Sequence, residues 1–191
     1  EFMHSLIEKV NHHPLIQTIL NGVIVDSGGF KGNFKTGIMS GPGMAYRKVE
    51  HGVTIIATGG EEYKPKEYLY GQDERVMTQQ ELEAKIARDE IDLKTVNEVV
   101  MIQCVGSRIP ERPYCSRICC SSAIKNALKI KEINPHAHIY IIYRDIRTYG
   151  FLEDYYTKAR KAGVIFIRYD LDKKPGVSLE KESLRISVFD P

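Results

Sequence analysis

An α/β fold is predicted by three features of the chain. The last third alternates strand-sized apolar runs with helical patterns: Val96 to Cys104, Ser116 to Ile133, Ile139 to Tyr143, Glu153 to Ala162 and Val164 to Tyr169. Strand–helix–strand–helix–strand with short loops gives a parallel sheet with right-handed crossovers, the Rossmann-like type of half-domain. The first third instead carries short runs broken by glycine turns, the pattern of a small antiparallel β-meander. Between them, Val53-Thr54-Ile55-Ile56-Ala57 is a continuous, largely β-branched run bounded by Gly52 and Gly59-Gly60. Such a run predicts a strand buried on both faces.

In chain order, Leu6 to Val10 predicts the end of a helix, stopped at Asn11-His12-His13-Pro14. His12 and His13 are read as a solvated helix terminus and not as metal ligands. Ile16 to Asp26 is strand-rich with a turn at Asn21-Gly22, and Ser27 to Asn33 is a loop. Phe34 to Ile38 is a short strand, and Gly41-Pro42-Gly43 turns tightly into Met44 to Glu50. Glu61 to Arg75, rich in Pro, Tyr and charge, is a connection. Thr78 with Glu81 three residues on predicts a capping box for a helix through about Arg88. The long helix begun at Ser116 ends at Asn134-Pro135, and Gly163 caps the next. Leu184 to Val188 predicts the start of a hairpin whose partner would lie beyond Pro191. These elements divide the chain into residues 1–75, meander and buried strand; 76–95, a linker helix; and 96–191, the parallel-sheet domain.

Lys and Arg number 27 against 25 Asp and Glu, a balance that argues against a nucleic-acid or anionic-membrane partner. No apolar run approaches the roughly 20 residues of a membrane span, and no signal-peptide pattern stands at the start. The expectation is a cytoplasmic chain. In that compartment cysteines stay reduced, and all four fall between Cys104 and Cys120. Clustered thiols of this kind point to metal or redox chemistry.

The spacing is Cys104-x10-Cys115-x3-Cys119-Cys120. Cys104 falls at the end of a buried strand, where open parallel sheets place functional groups. Cys115 lies in the loop before the long helix, with Cys119 and Cys120 in its first turns. Cys120, Ala123, Ile124, Ala127 and Leu128 form one helical stripe, so Cys120 is expected to face the sheet and Cys119 to point about 100° away. The strand end and helix start are neighbours in this fold, so four sulfurs can converge there. The helix N-terminus and Arg108, Arg112 and Arg117 favour thiolates and would offset the negative charge of a loaded site. The residues leave several readings open: core cysteines without chemistry, a structural zinc site, a Cys115–Cys119 redox disulfide, or an iron–sulfur cluster using all four.

Cys104-Val105-Gly106-Ser107-Arg108 and Arg112-Pro113-Tyr114-Cys115-Ser116-Arg117-Ile118-Cys119-Cys120 closely resemble the A-subunit family of heterodisulfide reductases, which are iron–sulfur flavoproteins. Tyr143-Arg144-Asp145-Ile146-Arg147-Thr148-Tyr149-Gly150, Asp154-Tyr155-Tyr156, Ile55-Ile56-Ala57-Thr58-Gly59 and Tyr68-Leu69-Tyr70-Gly71 resemble the same family, over about residues 20 to 190. The resemblance implies part of a thioredoxin-reductase-like flavoprotein with two dinucleotide-binding domains, residues 1–75 being what is left of the FAD-binding one. It implies an oxidoreductase acting on a sulfur group, working in a cytoplasmic, anaerobic complex with other subunits. It implies Cys104, Cys115, Cys119 and Cys120 as ligands of a [4Fe-4S] cluster near the flavin, and Ala57, Thr58 and Gly59 as the segment approaching FAD. Electrons would pass between flavin and cluster toward disulfide reduction, with this piece of the protein inactive alone.

Two departures stand out. The flavin fingerprint Gly-x-Gly-x-x-Gly is absent, since Gly41-Pro42-Gly43-Met44-Ala45-Tyr46 fails at its last position, so FAD is expected in a longer protein only. The ferredoxin-like module that many relatives insert in the meander is also missing, because Gly32 to Gly52 is short and free of cysteine. Two alternatives accompany this reading. One is an NAD(P)H-binding domain, in which Arg144 and Arg147 would meet a 2′-phosphate, though the turn Cys104 to Arg108 lacks the three glycines of a pyrophosphate cradle. The other is a non-catalytic docking module that self-associates through exposed apolar surface.

Overall fold

The computed structural model describes residues 2–189, and the chain divides into two compact units, Glu1–Gly60 and Glu61–Pro191. Among the described residues it is a mixed α/β protein with one parallel sheet and two antiparallel ones. No helix among the described residues is long and apolar enough to cross a membrane.

The first unit contains helix α1 (Phe2–Asn11) and strands β1 (Val23–Phe30), β2 (Asn33–Ser40) and β3 (Ala45–His51), paired antiparallel in the order β1-β2-β3. The meander is therefore as expected, but its first strand is shifted. The Ser27-to-Asn33 segment continues β1 as far as Phe30, and only Lys31-Gly32 turns the chain, with Gly32 at φ 89°. A bulge between Ile24 and Asp26 re-aims the strand. Asp26 then accepts the Gly37 N–H at 3.0 Å and the Tyr46 hydroxyl at 3.1 Å, lacing all three strands together. A Cβ on Gly37 would run into Asp26 and Tyr46, so only glycine fits there.

Residues 53–60 correct the sequence expectation. They form no strand, and Val53, Ile55 and Ile56 are 68%, 86% and 82% exposed. A β-branched run becomes a buried strand only when neighbouring strands accept its hydrogen bonds and cover its faces, and no described strand pairs with this one.

The second unit opens with a connecting segment and helix α2 (Gln79–Ala87), whose capping box forms as expected. Thr78 Oγ1 accepts the Glu81 N–H at 3.2 Å, and Glu81 Oε2 accepts the Thr78 N–H at 2.8 Å. Strand β4 (Glu98–Ile102), helix α3 (Cys119–Ile133), strand β5 (His138–Tyr143), helix α4 (Glu153–Lys161) and strand β6 (Ile165–Arg168) follow. The strands pair in parallel in the order β4-β5-β6, as the alternating pattern predicts. Ala123, Ile124, Ala127 and Ile130 of α3 bury their stripe against Met101, Ile139 and Ile141 of the sheet, and Ala159 of α4 and Val164 complete the core. Buried Asn126 donates to the Gln79 side chain at 2.7 Å and ties α3 to α2.

Strands β7 (Gly176–Glu180) and β8 (Ser183–Ser187) close the unit as an antiparallel hairpin. A second expectation is corrected here: the run at Leu184 is the returning arm, and its partner precedes it. The earlier arm is hard to see in the residues because Gly176-Val177-Ser178-Leu179 holds few β-branched ones.

Glu81 also accepts from Lys64 Nζ and the Tyr70 hydroxyl, both at 2.8 Å. Burial raises its pKa, but Lys64, the Thr78 N–H and Tyr70 together outweigh it and hold the carboxyl at about 2. A folded pKa below the ordinary 4.5 gives stability that is fully present above pH 4.5 and fades as pH falls toward 2. Glu81→Gln is expected to lower stability at pH 7, with the gap to the parent narrowing between about pH 5 and 2. Urea unfolding across that range checks this, and a gap independent of pH would refute it.

Candidate cysteine site at the carboxyl edge of the parallel sheet

β4 delivers the chain to the carboxyl edge of the sheet, where Gln103 still donates to the Ile142 carbonyl at 2.8 Å. At Cys104 the backbone flips to φ 62°, and Gly106 follows at 64°, Arg108 at 58° and Arg117 at 65°. Left-handed conformations at three non-glycine residues in one loop cost on the order of 1–3 kcal/mol each, and persist only where surrounding contacts enforce them. Those contacts are visible. The Arg108 N–H donates to the Tyr114 carbonyl at 3.1 Å, and Ile109 and Arg112 exchange backbone bonds at 3.1 and 2.9 Å, so the loop closes on itself as a tight hairpin.

The loop then enters α3 later than the sequence suggests. Ser116 has the residue type that starts a helix, but Arg117 in the left-handed region breaks it, and Cys119 is the first helical residue. Ile118 stands at the N-cap without a side-chain bond, so no hydroxyl or carboxylate caps the helix there. The Cys119 thiol is pulled below the ordinary cysteine range, chiefly by the neighbouring Cys120 thiol and further by the Ser116 side chain and the backbone at Cys104 and Cys120, against its burial.

The neighbouring sulfurs titrate the other way. Negative charge at Cys119 and burial both push Cys120 up, while the Arg147 N–H opposes them. Its Sγ also lies 3.7 Å from the Asp145 carbonyl. Burial pushes Cys104 up, as does Cys119, against the pull of Arg108 and the Arg144 N–H. Cys104, Cys119 and Cys120 thus form one electrostatic group beneath the loop that follows β5. Cys115 stands outside it: its sulfur accepts the Arg117 N–H at 3.3 Å. All four thiols are free, so the Cys115–Cys119 disulfide is not present. Among the described residues, no three His, Cys, Asp or Glu side chains are arranged to hold a metal ion.

The loop after β5 is the part of the site whose role the residue pattern does not disclose. Arg144 and Arg147, considered as phosphate contacts, lie where their backbone works against the raised pKa of Cys104 and of Cys120. Arg144 also spends its guanidinium on the Arg108 carbonyl, at 2.7 Å. Strand-end loops carry such groups in any parallel sheet, but nothing in Arg144-Asp145-Ile146-Arg147 announces backbone donors. Beside this loop, Tyr143, Arg144, Glu153, Tyr156 and Arg168 line an open cleft of about 310 Å³.

Tyr63 is a second contributor that no motif reveals. Its ring lies over buried Gly106, so closely that a Cβ there would collide with it, and the Arg112 guanidinium stacks on the ring at 3.7 Å. The turn where a dinucleotide's pyrophosphate would approach the backbone is therefore covered by an aromatic ring. Ala57, Thr58 and Gly59 are exposed and outside regular structure, and no atom lies within 4 Å of a Cβ built on Gly59.

Fold and site together define a parallel α/β unit that presents thiols, under backbone donors and arginine, at the carboxyl ends of its strands. No family model matches the sequence. Among curated proteins, the first iron–sulfur A-subunit of the CoB–CoM heterodisulfide reductase of Methanopyrus kandleri is 41% identical over 140 residues, 63% of this chain and 21% of that protein. The A-subunit of the H(2)/formate:CoB-CoM heterodisulfide,ferredoxin reductase of Methanococcus maripaludis is 43% identical over 136 residues, 63% of this chain and 21% of that one. The A-subunit of the H(2):CoB-CoM heterodisulfide,ferredoxin reductase of Methanothermobacter thermautotrophicus is 38% identical over 157 residues, 74% of this chain and 23% of that one. The chain belongs to the A-subunit family of heterodisulfide reductases, and it spans about a fifth of the length of the curated relatives it matches.

Gly106→Ala is expected to destabilise the second unit by about 2 kcal/mol, from a side chain in the left-handed region and from the clash with Tyr63. In a Tyr63→Ala background the loss should shrink to the conformational part alone. Thermal unfolding of the two single variants and the double variant checks this; equal losses in both backgrounds would show that the ring does not press on Gly106.

Proposed function

We propose that the second unit is an electron-transfer module of a heterodisulfide-reductase-type protein, in which Cys104, Cys115, Cys119 and Cys120 hold a [4Fe-4S] cluster. The observation that carries this reading is that Cys104 follows the end of β4 while Cys119 and Cys120 open α3 and Cys115 lies in the loop between them, with Arg108 in the same loop. That donor chemistry suits a thiolate-bound cluster, which needs deprotonated sulfurs and hydrogen-bond donors around a net negative centre. Cys115 would complete the set from the exposed segment Pro113 to Ile118, in which its own thiol is half-buried. The relatives named as iron–sulfur subunits support the same assignment.

When bound, such a cluster supplies one-electron transfer. The chain's own residues would do the rest. The helix start and the loop after β5 hold charge on sulfur, Tyr63 and Arg112 cover the turn against water, and the buried faces of β4 and α3 keep Cys104 and Cys120 in place. The parent protein would be an oxidoreductase acting on a sulfur group, with FAD held by a longer chain of two dinucleotide-binding domains. Its partners would be further subunits of a cytoplasmic heterodisulfide-reductase-type complex, and self-association of this chain through its exposed apolar residues fits the same picture. Ala57, Thr58 and Gly59 would be the segment of that longer chain that approaches FAD, and no step is assigned to it.

Anaerobic reconstitution with iron and sulfide tests the reading. About four irons per chain are expected, with visible absorbance that Cys119→Ala abolishes. Uptake of zinc alone would sink it. NADPH titration followed by fluorescence is expected to show no binding, because Tyr63 covers the turn; saturable binding would favour the pyridine-nucleotide reading instead.

A further inference from the structure

A second site stands apart from the thiols, in the open cleft of about 310 Å³ at the carboxyl ends of β5 and β6. Tyr143 and Arg168 are register partners at those strand ends, so Arg144, the next residue, leaves the sheet beside Arg168. The Tyr143 and Tyr156 rings are set by one neighbour: Phe166 meets both edge-on, with centroids 6.2 and 4.8 Å away. Glu153 is oriented by buried Thr148, whose hydroxyl donates to its Oε2 at 3.3 Å. The charges in the cleft do not cancel. Asp145 is taken by Arg108 at 2.6 Å, which leaves the Arg144 and Arg168 guanidinium groups against the single Glu153 carboxylate. Arg144 spends one nitrogen on a neutral group, the Arg108 carbonyl, and among the described residues no carboxylate pairs with Arg168.

We propose that this cleft binds a small organic anion with an aromatic ring, a carboxylate or a phosphate monoester, whose charge meets Arg144 and Arg168 and whose ring packs on Tyr143 and Tyr156. Open parallel sheets take ligands outside the carboxyl ends of their strands, where a few convergent polar groups beside apolar surface orient the ligand. Guanidinium groups make forked, charge-assisted bonds to carboxylate and phosphate oxygens, and tyrosine rings add contact that a bare ion cannot make. Glu153 would accept from a hydroxyl or ammonium of the ligand and repel a second anionic group. The volume lies at the lower end for ligand pockets, and Tyr63 covers the turn that would hold a pyrophosphate, so the ligand is smaller than a dinucleotide. The site uses no sulfur and stands independently of the cluster reading.

The test titrates the full chain with phenyl phosphate, benzoate, inorganic phosphate and benzyl alcohol, followed by backbone amide chemical shifts. Phenyl phosphate or benzoate is expected to saturate one site, with the largest shifts at Tyr143, Arg144, Tyr156 and Arg168. The tighter of the two identifies the anionic group the cleft prefers. Inorganic phosphate lacks the ring and benzyl alcohol lacks the charge, so each should bind about tenfold more weakly or worse. Arg168→Gln, a change at an exposed side chain, should weaken the tighter ligand about tenfold. Arg47→Gln, an exposed arginine of the other unit, should leave it unchanged. The proposal is overturned if neither ring-bearing anion saturates, or if the shifts fall outside the cleft. It is equally overturned if Arg168→Gln binds as the parent does, if Arg47→Gln weakens binding as much, or if inorganic phosphate or benzyl alcohol binds as tightly as the ring-bearing anions.

Discussion

At Cys104 the backbone leaves β4 in the left-handed region, and the chemistry of the second unit depends on that single reversal. A strand that simply continued would send Cys104 along the sheet, away from the head of α3. The flip instead turns the chain at Cys104 into the loop that carries Arg108 and leads to the head of α3. An L-residue in this region costs energy that the local bonds must outweigh. They do so from both sides. Gln103 is held by Ile142 on the strand side and by the Tyr169 hydroxyl on its carbonyl at 2.8 Å, and Arg108 and Arg112 close the loop beyond. Strain, sulfur and charge are therefore concentrated in one place, with a rigid three-stranded sheet behind them.

The same geometry explains why the thiols titrate unequally. A thiolate disfavours charge on its neighbours. Cys119 is pulled down, while burial and the Cys119 charge push Cys104 and Cys120 up. Any sulfur that held a positive ion would have to give up its proton. Cys115 is held to its own loop by the Arg117 N–H.

Much of the scaffold was legible in the residues, and much less of the site. Helix periodicity placed Cys120 on the stripe with Ala123, Ile124 and Ala127, and the buried face of α3 carries all four. The Thr78–Glu81 box was equally plain, because capping depends on residue type at fixed spacing. Where the pattern misled, the missing information was non-local. Val53 to Ala57 has the composition of a central strand but no neighbour to pair with, and composition alone cannot supply one. Ser116 has the chemistry of a cap, yet the reversal at Arg117 delays the helix. Tyr63 on Gly106, and the Arg144 guanidinium on the Arg108 carbonyl, depend on contacts between residues far apart in sequence that no motif encodes.

A thiol site at this position is what the physics of the fold's usual ligand would suggest. Parallel sheets bind phosphate at the turn after the first strand because free N–H groups and the positive end of a helix converge there. A thiolate asks for the same things: donors, positive charge and exclusion of water. Replacing the glycines that let a pyrophosphate approach with Cys104 and Arg108 keeps the donors and changes the anion they serve. Gly106 survives, but its open side is filled by the Tyr63 ring, which also carries the Arg112 guanidinium on its outer face. The ring removes the space for a nucleotide and at the same time covers the cysteines' loop, so the loss of one ligand and the protection of the other come from one side chain.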